Sequence, residues 1–363
     1  MKQQWSIKLL LYDDELLSSW LVRMALRFGC DPLVLTGEVF DKWRIWTMDT
    51  DRVHEADRLK RLSELSGITV PDFQNASLYS IASQIHGQEP PDAVWPWILS
   101  LGARNTKRKG GLQYCPTCLS TDKHPYFRKQ WRYAWHTGCE VHHCSLLDRC
   151  PHCHSPIEPH RLLAEDNFIQ LCANCHSDLS DTEPLALNDN ALAFQKLVNS
   201  LIENGKIEFH QEVLFISQWF ELLDFFCAML RRANRNDAIA LGAFLRTLAI
   251  DVDSLNLPIV SGASVELLRN QERQQLFVAT YQMLKSSLDD FQFAAQQANI
   301  TRQGFCGKGE RLPSVLQSIY DNLPESIISP KKTSKTRLDS PRQKNEVMRM
   351  MARLQRKLEF TQR

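Results

Sequence analysis

The sequence predicts a mainly α-helical protein, interrupted once by a compact cysteine-rich module. Three observations carry this expectation. Apolar residues recur at helical spacing on both sides of the module, strand-like alternation is scarce, and eight of the 11 cysteines lie between Cys115 and Cys175. At 363 residues the chain has the length of two or three domains. Its 43% apolar and 23% charged residues are ordinary globular usage, which excludes wholesale disorder. No apolar run reaches the roughly 18 residues of a membrane span. Acids, and no small-residue cleavage site, follow the short apolar patch near the start, so a secretory signal is not expected. A cytoplasmic location with reduced cysteines follows, and there clustered cysteines read as metal ligands, not disulfides.

Residues 1–105 read as a helical N-terminal domain. Asp13 is placed to cap a first helix whose apolar face is Leu16, Leu17, Trp20, Leu21, Met24 and Phe28, with Gly29 as its terminating glycine. Gly67, Pro71, Gly87 and Pro90-Pro91 divide the next stretch into short helices of a size that suits a helix-turn-helix. The cysteine-rich module takes 106–185. Helical patterns return at about 190–204, ending at Gly205, and at 212–233, 237–249, 264–285 and 287–298, where Ser287 and Asp290 form a capping-box pair. These make a C-terminal helical domain over 186–325. Residues 326–363 read as a basic linker and an amphipathic tail, its final helix running from Pro341 to Phe360. The chain's net charge is only +1, but residues 331–363 carry 11 Lys/Arg against 3 Asp/Glu, a composition suited to a polyanionic partner.

Spacing identifies the ligands in the module. Cys115 and Cys118 are followed by Cys139 and His142, and Cys150 and Cys153 by Cys172 and Cys175. Two residues between ligands let both converge on one ion at the ~2.3 Å S–Zn distance, and two such knuckles complete a tetrahedron. Two Zn2+ ions per chain are expected, one held by three thiolates and an imidazole, the other by four thiolates. Closed four-ligand sites leave no position for a reactive water, so both are structural. His143 and Cys144 are less well spaced from Cys139 to serve as ligands. Cys30, Cys227 and Cys306 read as small apolar residues. The sequence contains no H-E-x-x-H, no P-loop, no nucleophile elbow and no acidic cluster at a recognisable spacing, so catalytic residues are not expected.

Several motifs in this order resemble the TniQ/TnsD family of bacterial transposon target-site selection proteins. They are Tyr114-Cys-Pro-Thr-Cys-Leu119, Pro125-Tyr-Phe-Arg-Lys-Gln-Trp131, Cys139-Glu-Val-His142 and Leu146-Leu-Asp-Arg-Cys-Pro-His-Cys153, with Asp14-Glu-Leu-Leu-Ser-Ser-Trp-Leu-Val-Arg23 similar to the family's opening helix. The resemblance covers residues 8–180. It implies a targeting protein that does no bond chemistry. Some members bind a DNA attachment site. Others attach as a dimer to an RNA-guided CRISPR effector, a Cascade complex, and both kinds pass the site to the transposon's AAA+ ATPase and transposase. Which branch this chain follows stays open at this point. Family knuckles often end Cys-x-x-Cys-Gly, whereas His154 and His176 follow the second and fourth cysteines of the second site here. Glycine suits a positive φ at that place, and histidine tolerates it better than most residues.

Nucleic-acid contacts have three candidates. Residues 291–322 resemble a repressor-type helix-turn-helix, in which Thr301, Arg302 and Gln303 open the recognition helix and Lys308 lies just past it. Arg302 suits guanine, Gln303 adenine and Lys308 a phosphate. The basic group Arg104, Lys107, Arg108, Lys109, Arg128, Lys129 and Arg132 suits the phosphate backbone, as does the tail. The competing functional reading is a zinc-containing transcriptional regulator that binds its operator.

Overall fold

Leu17, Trp20, Leu21 and Met24 are all fully buried on helix α1 (Leu17–Phe28), so the first element forms where the apolar period places it. Gly29 ends it at φ 69°, where a residue with a Cβ would be strained. The helix starts later than the sequence suggests: it begins after Leu16, no side chain caps it, and Asp13 lies outside it. Glu15 pins the start instead. Its buried carboxylate accepts a bond from Ser19 Oγ at 2.9 Å and pairs with Arg23 at 2.6 Å.

The structure, a computed structural model, describes residues 4–40, 43–91, 94–101, 111–234, 238–255, 264–325 and 344–361. The chain falls into two compact units, Met1–Gln195 with Ser264–Arg273, and Lys196–Ala263 with Gln274–Arg363. It is mainly helical, and among the described residues no helix is long and apolar enough to cross a membrane.

In the first unit, α1 is followed by α2 (Pro32–Val39), α3 (Ala56–Ser66), α4 (Val70–Asn75), α5 (Tyr79–His86) and α6 (Pro116–Thr121). Trp20, Leu21, Met24, Val39, Leu59, Leu62 and Phe73 form one apolar core among the first four. Gly111 allows the chain to pass close to its own backbone, since a Cβ there would meet the carbonyl oxygen of Ser100 at 2.6 Å. A two-residue hairpin, β1 (Gly138–Cys139) and β2 (Cys144–Ser145), lies in the cysteine module. The module is tied to the start of α1 by backbone bonds from Leu16 N to Phe127 O (3.0 Å) and from Lys129 N to Asp14 O (2.7 Å).

Two buried polar clusters fix this unit. Arg132 is fully buried. It pairs with Asp51 at 2.7 Å and with Asp49, and donates to the Leu99 carbonyl from Nε and a terminal nitrogen at 3.0 and 2.7 Å. Asp51 also accepts from Ser18 N and Oγ at 2.8 and 2.9 Å. Burial pushes Asp51 up to about 6 against the downward pull of Arg132. The second cluster centres on Gln113. Its Nε2 donates to the carbonyls of Trp131 and His136, both at 3.1 Å, and its Oε1 accepts from Asn270 Nδ2 and Arg273, both at 2.6 Å. Arg273 also donates to the Ala134 carbonyl, and the Glu266 carboxylate accepts from Trp97 N at 2.6 Å. Residues 264–273 thus return to satisfy polar groups that lie more than a hundred positions earlier.

The chain continues through α7 (Asp189–Asn204), which ends at Gly205 with φ 75°, and the hairpin β3 (Lys206–Phe209) and β4 (Glu212–Phe215). Then come α8 (Ile216–Ala233), α9 (Ile239–Thr247), α10 (Asn270–Lys285), α11 (Leu288–Gln297), α12 (Arg302–Phe305), α13 (Gln317–Asp321) and α14 (Lys344–Thr361). The helix expected from 212 begins four residues later, because 212–215 pair with 206–209 in register Lys206↔Phe215 to Phe209↔Glu212. A ring cluster of Phe225, Phe226, Phe244, Phe291 and Phe305, with centroids 5.7–5.9 Å apart, packs the second unit's helices. The Ser287/Asp290 capping box is present at α11.

Candidate metal centres

The eight ligands expected from spacing converge as two groups of four. Cys115, Cys118, Cys139 and His142 have their donor atoms within 4.8 Å of one another, and so do Cys150, Cys153, Cys172 and Cys175. Local structure explains each convergence. Cys115 is the N-cap of α6, so the first helical turn brings Cys118 back over it, and Cys118 N donates to Cys115 Sγ at 3.4 Å. Cys139 and His142 sit on the β1–β2 hairpin. Gln195 braces it, accepting from Thr137 N and Gly138 N at 3.0 and 3.2 Å and donating to Gly138 O at 3.1 Å.

The other two knuckles repeat one backbone pattern. Cys150 N bonds to Ser155 O at 3.0 Å and His154 N to Cys150 O at 3.0 Å; Cys172 N bonds to Ser177 O at 2.9 Å and His176 N to Cys172 O at 2.8 Å. The hairpin pairing of Cys139 with Cys144 has the same five-residue separation. The fifth residue of each knuckle, His143, His154 or His176, has φ 49°, 58° or 57°. All three histidines are thus left-handed, so His154 and His176 take the conformation that glycine otherwise supplies and the departure from Cys-x-x-Cys-Gly leaves the turn intact. His176 is further held by Asp166, with Nδ1 to Oδ1 at 2.6 Å.

The donor sets and distances fit a tetrahedral ion. With S–Zn near 2.3 Å and N–Zn near 2.05 Å, a tetrahedron has S···S edges of about 3.8 Å and S···N edges of about 3.6 Å. The observed S···S separations are 3.7 Å for Cys118–Cys139 and 3.6 Å for Cys150–Cys175 and Cys153–Cys172. His142 Nδ1 lies 3.5, 3.3 and 3.5 Å from the sulfurs of Cys115, Cys118 and Cys139. Both groups can therefore hold a metal ion with four protein donors each.

Spacing ranked Cys144 below His142 as a ligand. Its thiol is buried and lies 3.5 Å from Cys115 Sγ. The signal that would have found it is the repeat Cys-x-x-(His/Cys)-His-(Cys/Ser), which occurs at Cys139–Cys144, Cys150–Ser155 and Cys172–Ser177.

The expected nucleic-acid residues fare differently. Lys107, Arg108 and Lys109, with Arg104, lie outside the described residues. Arg132 is corrected: it is a buried ion-pair anchor with no face open to a phosphate. Arg128 is largely enclosed too, with its side chain 13% exposed, paired with Asp122 at 2.9 Å and lying over the Tyr126 ring. Lys129 donates to the Asn75 carbonyl at 2.8 Å. In the second unit, α12 has only four residues, a single turn in place of a full recognition helix. Thr301 caps it, accepting from Gly304 N at 3.3 Å. Arg302 turns back onto the chain, donating to Glu325 at 3.1 Å and to Asp321 O at 2.8 Å. Its side chain remains 33% exposed, and its partner Glu325 is 83% exposed. Gln303 and Lys308 are exposed.

No curated protein matches the chain. The family model described as TniQ matches residues 6–146, a segment running from before α1, through the helical core, to just past the first group of four ligands. The expected resemblance is thus met over the segment that carries the opening helix and the first metal centre: residues 6–146 are similar to the TniQ family.

Proposed function

We propose that the chain is a targeting adaptor that recognises a DNA attachment site or an RNA-guided Cascade complex and recruits the AAA+ ATPase and transposase. The observation that carries this reading is the family match over residues 6–146. The two groups of ligands each hold one Zn2+, which cross-links segments too short to bury a core of their own. Their donor chemistry, seven thiolates and one imidazole, supports zinc over magnesium or calcium, which take oxygen ligands. All four ligands of each site come from protein, so the ions organise the fold and leave substrate chemistry to the recruited machinery.

Within this reading, the parts divide as 1–105, 106–185, 186–325 and 326–363. Gln303 and Lys308, which are exposed, and, by their charge alone, Lys107-Arg108-Lys109 and the tail are separate candidate contacts for nucleic acid. The test is co-purification of the full chain with the cognate ATPase, with and without attachment-site DNA or guide complex. Retention of the ATPase that depends on one of those two nucleic-acid partners is expected. Retention with neither overturns the proposal.

A further inference from the structure

The first metal centre has more donors than a tetrahedral ion can use. Cys115, Cys118, Cys139 and His142 supply four, and the Cys144 thiol lies 3.5 Å from Cys115 Sγ. This proximity is built into the backbone. Cys144 pairs with Cys139 across the β1–β2 hairpin, and cross-strand neighbours in such a pair project to the same face, ~5 Å apart at Cβ.

The equivalent positions of the other two knuckles show what that place in the loop does. They hold Ser155 and Ser177, and Cys175 Sγ lies 3.3 Å from Ser177 Oγ. The last residue of the knuckle therefore sets its side chain against the sulfur cluster. In the second centre that side chain is a hydroxyl, a poor zinc ligand. In the first it is a thiol, a good one.

The imidazole in the same centre is the donor most easily given up. His142 is half-buried, whereas Cys115, Cys118, Cys139 and Cys144 are buried. It stands in the hairpin turn between Val141, which is 75% exposed, and His143 in its left-handed conformation. Nδ1 faces the three sulfurs, which leaves Nε2 as the ring nitrogen open to another partner.

We propose that the first centre is a five-donor site in which Cys144 takes the fourth metal position when His142 leaves it, giving a four-thiolate site and releasing the turn at Val141–His143. The proposal rests on the metal reading above. The exchange is a ligand substitution: the Cys144 thiol loses its proton to solvent as its sulfur binds, the imidazole departs neutral, and no electron is transferred. The metal thus stays bound while the turn becomes free to rearrange against a partner.

The experiment loads the full chain with Co2+ and reads the ion count and the thiolate-to-metal charge-transfer absorption. Wild type is expected to bind two ions through seven thiolates. His142→Ala should still bind two, with the absorption raised by about one seventh and the d–d bands shifted as a sulfur replaces a nitrogen. Cys144→Ser should resemble wild type, since serine occupies that place in the other knuckles. His142→Ala combined with Cys144→Ser should bind one ion fewer than His142→Ala alone. If His142→Ala loses an ion, keeps two ions at the wild-type absorption, or misfolds as the double variant does, Cys144 is not the replacement ligand. A wild-type count of one or none instead overturns the underlying metal reading.

Discussion

Replacing Arg132 by Met tests whether this residue is an interior anchor or a phosphate contact. The substitution keeps an unbranched apolar stem, shorter than that of arginine, and removes the charge and the donors. Asp51, with no exposed side-chain surface, and Asp49, at 10%, would then lack their counter-charge, and the Leu99 carbonyl would lose both its side-chain donors. Removing one partner of a buried pair costs ~3–5 kcal/mol, because the other charge stays buried without compensation. Against a typical domain stability of ~5–15 kcal/mol, that is a large fraction. Urea unfolding followed by tryptophan fluorescence suits the measurement, as Trp20, Trp97, Trp131 and Trp135 are buried in the same unit. Adding Asp51→Asn to the variant removes the stranded charge and should restore at least ~1 kcal/mol, giving a non-additive double-mutant cycle. Lys129→Met, at a more open site, should cost under ~1 kcal/mol. A loss below ~1 kcal/mol for Arg132→Met, with no coupling to Asp51, would refute the anchor. A phosphate contact would show itself differently, by lowering the salt-dependence slope by ~0.9 without destabilising the fold.

Elemental analysis of the purified chain should find close to two zinc ions. Cys172→Ala should destabilise it far more than Cys227→Ala, since a structural zinc is worth on the order of 10 kcal/mol of folding free energy; equal effects would reject the assignment. His160 stacks on Trp46 at 5.1 Å and is pushed down to about 4 by burial, with the Arg161 charge acting in the same direction. Because the unfolded chain takes the proton first, this stabilisation is complete above pH ~6.5 and is lost as pH falls toward 4. His160→Phe should therefore show a decline in unfolding free energy, measured by urea titration, that is flatter by ~1–3 kcal/mol over that range, and a parallel decline rejects the cause. Deleting residues 331–363 removes a net charge of +8 and should flatten the plot of log K against log salt for nucleic acid; an unchanged slope takes the tail out of the interface.

What the sequence disclosed depended on the range of the interaction. Ligand pairs three residues apart, the glycine after α1 and the Ser287/Asp290 cap are short-range geometry, and each could be read from a few consecutive letters. Arg132 was misread because basic residues near one another in sequence resemble a surface patch, and only the distant Asp49 and Asp51 reveal a buried triad. The hairpin at 206–215 was hidden by apolar residues that also fit a helical period. Its turn residues, His210 and Gln211 at φ 49° and 67°, are not the usual Asn-Gly pair. Cys144 was ranked below His142 as a donor because ligand spacing was counted from Cys139 alone, without comparing the three Cys-x-x-(His/Cys)-His repeats.

The closure of the Gln113 cluster bears on how the protein is born. Two of its partners, Asn270 and Arg273, follow it by 157 and 160 residues. A ribosome adding ~5–20 residues per second needs several seconds to pass from Gln195 to Arg273. Throughout that interval the nascent first unit has its apolar core but no donors for Gln113 Oε1 and no acceptor from Glu266 for Trp97 N. During that time it is a nearly finished fold with an open seam. A fragment cut at residue 146 or 195 would be locked in that adolescent state, so expression trials of the isolated family segment should yield more soluble protein when residues 264–273 are supplied in trans or on a linker.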